Sequence, residues 1–281
     1  MTLAFFARDA DDPEVLVPTD LAKSLWGTDQ MHGVALSGML ARALERAVAE
    51  LGREDLRAAR YTVDLFKAAR MKPCRTTTTV VREGNRICLV DATIEQEGVP
   101  VARASGLFLK VSEQAPGEVW EPTDSPQPPP ADVAPPTDDP HVPLFASEGA
   151  GWSDSFGDHQ NAGHKTTWQV AVPVVADEKP SGFVAAASVA DATSMVTNWG
   201  ANGVEHINTD ITLTLARAPE GVEIGLAASD RVSADGIAVG TATVFDRAGR
   251  LGTTVTTSVA NVKRGIDFEK EVFAEGDPRR R

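Results

Sequence analysis

The chain offers few side chains whose type and setting suit chemistry. Asp191 lies in Val189-Ala190-Asp191-Ala192, a carboxylate flanked by apolar residues in an alanine-rich stretch. A carboxylate partly withdrawn from water has its pKa raised toward neutrality, which suits a general base acting on water. The competing reading is an aspartate at a helix surface or interface paired with an arginine, since most carboxylates are solvated. Gly33 follows His32 at the start of a long apolar-periodic stretch, where free amides and the helix dipole favour a developing negative charge. Glycine there equally permits a tight entry and close packing. His32 is placed either to touch a substrate or to act as a hydrogen-bonded structural group.

Asp154, Asp158, His159 and His164 gather within residues 151–164. They lie on no regular element and lack metal-ligand spacing, so they read as a polar loop, and no metal site is expected. There is no Gly-x-Ser-x-Gly elbow and no Gly-x-Gly-x-x-Gly run between a strand and a helix, which removes support for serine esterases and dinucleotide enzymes. The two cysteines, Cys74 and Cys88, sit in strand-like surroundings; a disulfide framework is not expected, and a reducing cytoplasm is the natural setting.

These residues need elements to hold them. Residues 32–51 predict a helix, with Val34, Leu36, Met39, Leu40, Leu44, Val48 and Leu51 near the 3.6-residue period and Gly52 as its stop. Strand-like segments follow at 61–68, 75–83, 86–96 and 99–111. The same order recurs later: a more alanine-rich helix over 182–199, carrying Asp191, then strands at 205–216, 221–232, 236–245 and 249–263, of which the first carries Asn208 and the last Thr256. Ala92-Thr93-Ile94 matches Ala242-Thr243-Val244 (242 − 92 = 150), and Val63-Asp64-Leu65 matches Thr209-Asp210-Ile211 (210 − 64 = 146). Asp64 and Asp210 then occupy equivalent strand positions, which suggests sheet architecture more than chemistry.

A chain of 281 residues fits two domains, and segments with Pro128-Pro129-Pro130 and Pro135-Pro136 read as an extended connector. The expected division is an N-terminal unit over 1–113, a linker over 114–143, a C-terminal unit over 144–265 and a charged tail over 266–281. The net charge of −13 argues against nucleic-acid and anionic-membrane partners, and Arg70-Met71-Lys72 and Arg279-Arg280-Arg281 are too short to form a basic patch. No apolar run approaches the ~20 residues of a membrane span, and no export signal is visible, so a cytoplasmic location is expected.

His32-Gly33, Val63-Asp64-Leu65-Phe66, Ser188-Val189-Ala190-Asp191 and, most specific of these, the run from Ile207 to Arg217 resemble the double hot-dog acyl-CoA thioesterases of the bacterial thioesterase II type. The resemblance spans nearly the whole chain apart from the linker and tail. It implies an α+β fold, a double hot-dog with two antiparallel sheets each wrapped around a long central helix, and an alanine-rich second helix that approaches the first closely and leaves a slot for an acyl chain. It implies hydrolysis of an acyl-CoA substrate by an activated water, with no cofactor, in a homo-oligomer. The family's acid maps onto Asp191 and its strand hydroxyl or amide onto Asn208. Its final-strand glutamine falls on Thr256, a departure that shortens the group by two heavy atoms. His32 and Gly33 would meet the substrate. Two other readings stand beside this one: an acyl-thioester binding protein without turnover, favoured by the missing glutamine, and an enoyl-CoA hydratase. The hydratase rests on residues 157–164, which resemble the Asp/Asn/His pattern of hot-dog hydratases with one extra residue between aspartate and histidine, in a place that reads as no helix start.

Overall fold

In a computed structural model the chain is described over residues 3–27 and 29–269. From residue 270 onward the expected charged tail lies outside the described residues. Strands β1 (Phe6–Arg8) and β2 (Val15–Pro18) precede helix α1 (Gly33–Glu50) and strands β3 (Leu56–Asp64), β4 (Cys74–Glu83), β5 (Ile87–Gln96) and β6 (Val99–Lys110). Residues 111–143 hold no helix or strand. The second half comprises β7 (Leu144–Ser147), β8 (Ala150–Ser153), β9 (Lys165–Val170), α2 (Gly182–Val189), α3 (Thr193–Asn198), the short ribbon β10 (Trp199–Gly200) and β11 (Gly203–Val204), then β12 (His206–Asn208), β13 (Asp210–Leu215), β14 (Glu223–Ala234), β15 (Ile237–Asp246) and β16 (Gly249–Ala260).

Helix α1 forms where the periodicity requires it. Leu36, Met39, Leu40, Leu44 and Val48 are buried against β4, β5 and β6, and Gly52 leaves the helix in the left-handed region at φ 69°. The start is set by His32, whose Nδ1 accepts from the Ala35 amide at 3.1 Å while its Nε2 lies 2.8 Å from the Leu21 carbonyl. A ring that accepts at Nδ1 and faces a carbonyl at Nε2 is neutral and protonated on Nε2.

The two antiparallel sheets, one from each half, are joined edge to edge as two such units side by side would join them, and among the described residues they form one continuous sheet of fourteen strands, in the order β1-β2-β4-β5-β6-β3-β13-β16-β15-β14-β9-β7-β8, with β12 also paired to β16. The physical reason is that β3 and β13 would each be an unpaired edge of its own half, and pairing with each other satisfies both rows of backbone groups. Asp64 and Asp210 face each other across this seam, and the burial alternation matches Val63, buried, to the buried Ile211 rather than to the exposed Thr209.

The second helix is not one long helix either. A 3₁₀ turn over Ala190–Ala192 separates α2 from α3, so the helix tightens at Asp191, the kind of mid-helix interruption that often accompanies a functional constraint. α1 and α2 run antiparallel in close contact. Ser37 Oγ donates to the Ala187 carbonyl at 2.6 Å, and a Cβ on Gly38 would lie 2.3 Å from Ser188 Oγ. Small residues thus close the space between the helices, and the acyl slot expected there is filled at this point.

The linker is anchored to the second half. Ala134 is buried with Trp168 and Phe245, and its carbonyl accepts from Arg247 Nη2 at 2.8 Å. Cys74 and Cys88 are free buried thiols. Among the described residues no helix is long and apolar enough to cross a membrane.

Candidate active site

Three elements converge on Asp191. The 3₁₀ turn turns its carboxylate toward the first turn of α1, where the Val34 amide donates to it. Gly33 makes the approach possible: a Cβ there would sit 2.0 Å from Asp191 Oδ1, closer than any real contact. From the other side Asn208 Nδ2 donates to Asp191 Oδ1 at 2.8 Å.

Asn208 is aimed by a strand irregularity. Asn208 pairs with Ser258 and Thr212 with Val255, so four steps on one strand (212 − 208) oppose three on the other (258 − 255), a β-bulge. Asp210 fills it, accepting from the Thr257 amide at Oδ1 and from Thr257 Oγ1 at Oδ2. The bulge leaves Asn208 on the inner face shared with Ser258. Asp210 is thus a structural group for the site, and Asp64 is ion-paired with Arg103 at 2.7 Å on the outside.

Burial pushes the Asp191 carboxyl up to about 6, against the lowering by the Asn208 and Val34 hydrogen bonds. Asp191 and Asn208 are both half-buried, so the carboxylate is largely desolvated yet still reachable by a water. No arginine pairs with Asp191 among the described residues.

The remaining expected site residues fall into place unequally. His32 has both ring nitrogens occupied by the protein and stacks edge-on to Phe5 at 5.2 Å; it holds the start of α1 rather than presenting a free nitrogen. Thr256 is fully buried, and its Oγ1 bonds to nothing among the described residues. On the inner face of β16 it lies between Thr254, which accepts from Thr193 Oγ1 at 3.2 Å, and Ser258, which accepts from Asn198 Nδ2 at 3.1 Å. It is not hydrogen-bonded to Asp191 or Asn208; one inner-face step, about 7 Å of strand, separates it from the partner of Asn208. The Val34 amide is one of the free first-turn amides expected at this helix start; the residue types did not reveal that its acceptor is the Asp191 carboxylate, because a backbone donor leaves no residue-type signal. Cavities of about 350 and 400 Å³ open at the C-terminal end of α3 and the N-terminal end of α2, and neither is lined by Asp191.

The polar loop has no catalytic posture. His159 sits in a 3₁₀ turn, Phe156–His159, fully buried, with Ser147 and Ser153 hydroxyls at 3.1 and 3.0 Å from its two nitrogens. Among the described residues no cluster of His, Cys, Asp and Glu could hold a metal ion.

The chain matches the N-terminal domain of acyl-CoA thioesterases over residues 22–109 and the C-terminal domain over residues 116–259. It belongs to the acyl-CoA thioesterase family. Solved structures similar to this thioesterase include the TesB protein of Mycobacterium avium subsp. paratuberculosis (15% identity, TM-score 0.62, covering 82% of this chain and 87% of that one). Others are the acyl-CoA thioesterase II TesB2 of Mycobacterium marinum (11%, 0.60, 88% and 91%) and a conserved hot-dog protein of unknown function from Alicyclobacillus acidocaldarius (17%, 0.60, 91% and 95%). At these identities they share the hot-dog fold with the thioesterase. No curated protein sequence matches it.

Proposed function

We propose that this acyl-CoA thioesterase cleaves its substrate with a water held and deprotonated at Asp191. The supporting observation is the carboxylate itself, half-buried, raised to about 6 and fixed by Asn208 and the first turn of α1. Asn208 donates to one carboxylate oxygen, which leaves its own amide oxygen and the second carboxylate oxygen as acceptors for the two protons of a water. In the reaction the water oxygen bonds to the thioester carbonyl carbon as Asp191 takes its proton. The Val34 and Ala35 amides are engaged by Asp191 and His32, so the Gly33 amide is the first-turn donor left for the developing oxyanion. Collapse breaks the carbon–sulfur bond, and the thiolate of coenzyme A leaves with the proton from Asp191. Thr256 contributes a buried hydroxyl with no hydrogen-bond partner among the described residues, suited to a second water. Neither a metal nor a redox group enters these steps.

Thiol release from a panel of acyl-CoA chain lengths tests the reading. Wild type is expected to turn over and Asp191→Asn, isosteric and folded, to lose at least about a hundredfold in kcat. Acyl-CoA that binds without any thiol release points to the non-catalytic binding protein instead. The hydratase reading is disfavoured by the buried, doubly bonded His159. A homo-oligomer in the cytoplasm remains part of the proposal, with sedimentation as its check.

A further inference from the structure

The two halves repeat one strand register, which makes the first half a control for the second. In the first, β5 sets Cys88, Val90 and Ala92 against Phe108, Gly106 and Ala104 of β6. In the second, β15 sets Ala238, Gly240 and Ala242 against Ser258, Thr256 and Thr254 of β16. Every one of these positions is displaced by 150, as in 240 − 90 and 256 − 106. The first set carries no hydroxyl and includes a phenylalanine; in the second, β15 is reduced to alanine and glycine and β16 supplies three hydroxyls, all fully buried. A buried hydroxyl costs free energy unless it is partnered, and the first half shows the fold doing without any.

Helix α3 adds its own polar groups to this layer. Thr193 Oγ1 donates to Thr254 Oγ1, and Asn198 Nδ2 donates to Ser258 Oγ. Arg231 Nε fixes the Asn198 amide by donating to its Oδ1 at 3.0 Å. Thr197 rests on Gly240, where a Cβ would lie 2.2 Å from the threonine Oγ1. Thr254 and Ser258 accept in these bonds and keep their own protons to give, while Thr256 Oγ1 between them has no partner among the described residues. Three successive inner-face hydroxyls, about 7 Å apart, thus have hydrogen-bonding capacity left over where the facing strand has given up its bulk. Ordered water is what ordinarily satisfies such buried groups.

The layer has the Asp191 centre at one end and a cavity at the other. Asn208, which holds Asp191, is the register partner of Ser258, and Thr193 directly follows the 3₁₀ turn that carries Asp191. At the far end Thr197, Asn198 and Arg231 line the cavity of about 350 Å³. We propose that the layer is a water passage running beneath α3 from this cavity to Asp191, with Thr197, Asn198 and Ser258 as its positioning residues. The inference rests on hydrolysis at Asp191. Each turnover consumes one water, whose hydroxyl ends on the acyl carbon and whose other proton ends on the thiol, and the passage replaces it from behind the helix while the thioester is seated.

High-resolution crystallography of the full chain, with thiol release by Ser258→Val and by the isosteric Thr197→Val, tests this; thermal melts verify the folds. In wild type, ordered water is expected within hydrogen-bond distance of Thr256 Oγ1 and Ser258 Oγ, an observation that needs no variant. In Ser258→Val that water is expected to be lost and kcat to fall about tenfold, with KM and the midpoint of the pH profile unchanged. Thr197→Val is expected to lower kcat in the same way. A dry layer in wild type overturns the proposal, as does a Ser258→Val enzyme that loses the water and keeps its kcat. A fall in kcat with a moved midpoint also overturns it, because the substitution then acts through the Asp191–Asn208 geometry. Wild type that releases no thiol defeats hydrolysis at Asp191 instead, and the ordered water alone then decides whether the passage exists.

Discussion

Asp191 decides most of what can be measured at the scale of single residues. As a base it works only when ionised, so kcat/KM is expected to rise with pH through about 6 and level off above it. The same shift has the opposite sign for stability. A carboxyl raised in the folded state stabilises the fold fully below its unfolded value near 4, and that contribution is lost as pH rises through about 6. Asp191→Asn is therefore expected to be more stable than wild type at pH 8, by at most about 3 kcal/mol and by less given its partial exposure, with the gain vanishing near pH 4. Urea titrations at the two pH values check this. Thr256 separates structure from chemistry in another way. Its unpartnered buried hydroxyl costs about 1–3 kcal/mol, so Thr256→Val is expected to melt no lower than wild type. If that hydroxyl holds a water used in the reaction, kcat falls about tenfold in the same variant.

At the scale of elements the helix pair is the decisive unit, because it sets Gly33 beside Asp191. Its closeness rests on small side chains at Ser37, Gly38, Ala187 and Ser188. Gly38→Ala would place its Cβ 2.3 Å from Ser188 Oγ and 2.9 Å from Val174 Cγ2, an overpacking expected to cost about 1–3 kcal/mol. Ser188 Oγ has no hydrogen-bond partner among the described residues, so Ser188→Ala alone is expected to be close to neutral. The double variant should recover part of the loss, and the coupling in a double-mutant cycle by denaturant unfolding is the test. The bulge at the β12–β13 junction plays the matching role on the sheet side, since without the extra residue Asn208 would point to the outer face.

On the scale of the whole molecule, the β3–β13 seam makes one sheet of two halves, and the strands beside it are tied by a partly exposed arginine on a buried carboxylate. Arg217, the last residue of the sequence run resembling thioesterases, bonds Asp246 through both nitrogens of its fork, one at 2.9 Å, and Asp246 also accepts from the Glu220 and Ala248 amides. Burial pushes the Asp246 carboxyl up, but these hydrogen bonds outweigh it and hold it below its ordinary value. A carboxylate lowered in the fold contributes stability above its unfolded pKa near 4 and loses it as pH falls through the folded value. Asp246→Asn is expected to cost about 1–3 kcal/mol at pH 7, because the buried carboxylate's charge-assisted bonds to Arg217 are weakened while Arg217 keeps the Gly249 and Arg250 carbonyls. The gap to wild type should close as the pH drops below the ordinary carboxylate range, which chemical denaturation across pH 3–7 measures.

Much of this was legible in the chain itself. The periodicity of residues 32–51, the alternation along the strands and the repeated element order dictate helix and strand positions, since burying one face is a local requirement that a sequence must write out. Asp191 stood out for the same reason, as a charge in an apolar context. What the sequence could not determine depends on who lies opposite whom. The register of the β3–β13 seam, the hold of Asn208 on Asp191 and the donation by the Val34 amide to Asp191 are all contacts between segments distant in sequence. Backbone groups look alike in every residue, so only the tertiary structure decides which of them an aspartate meets.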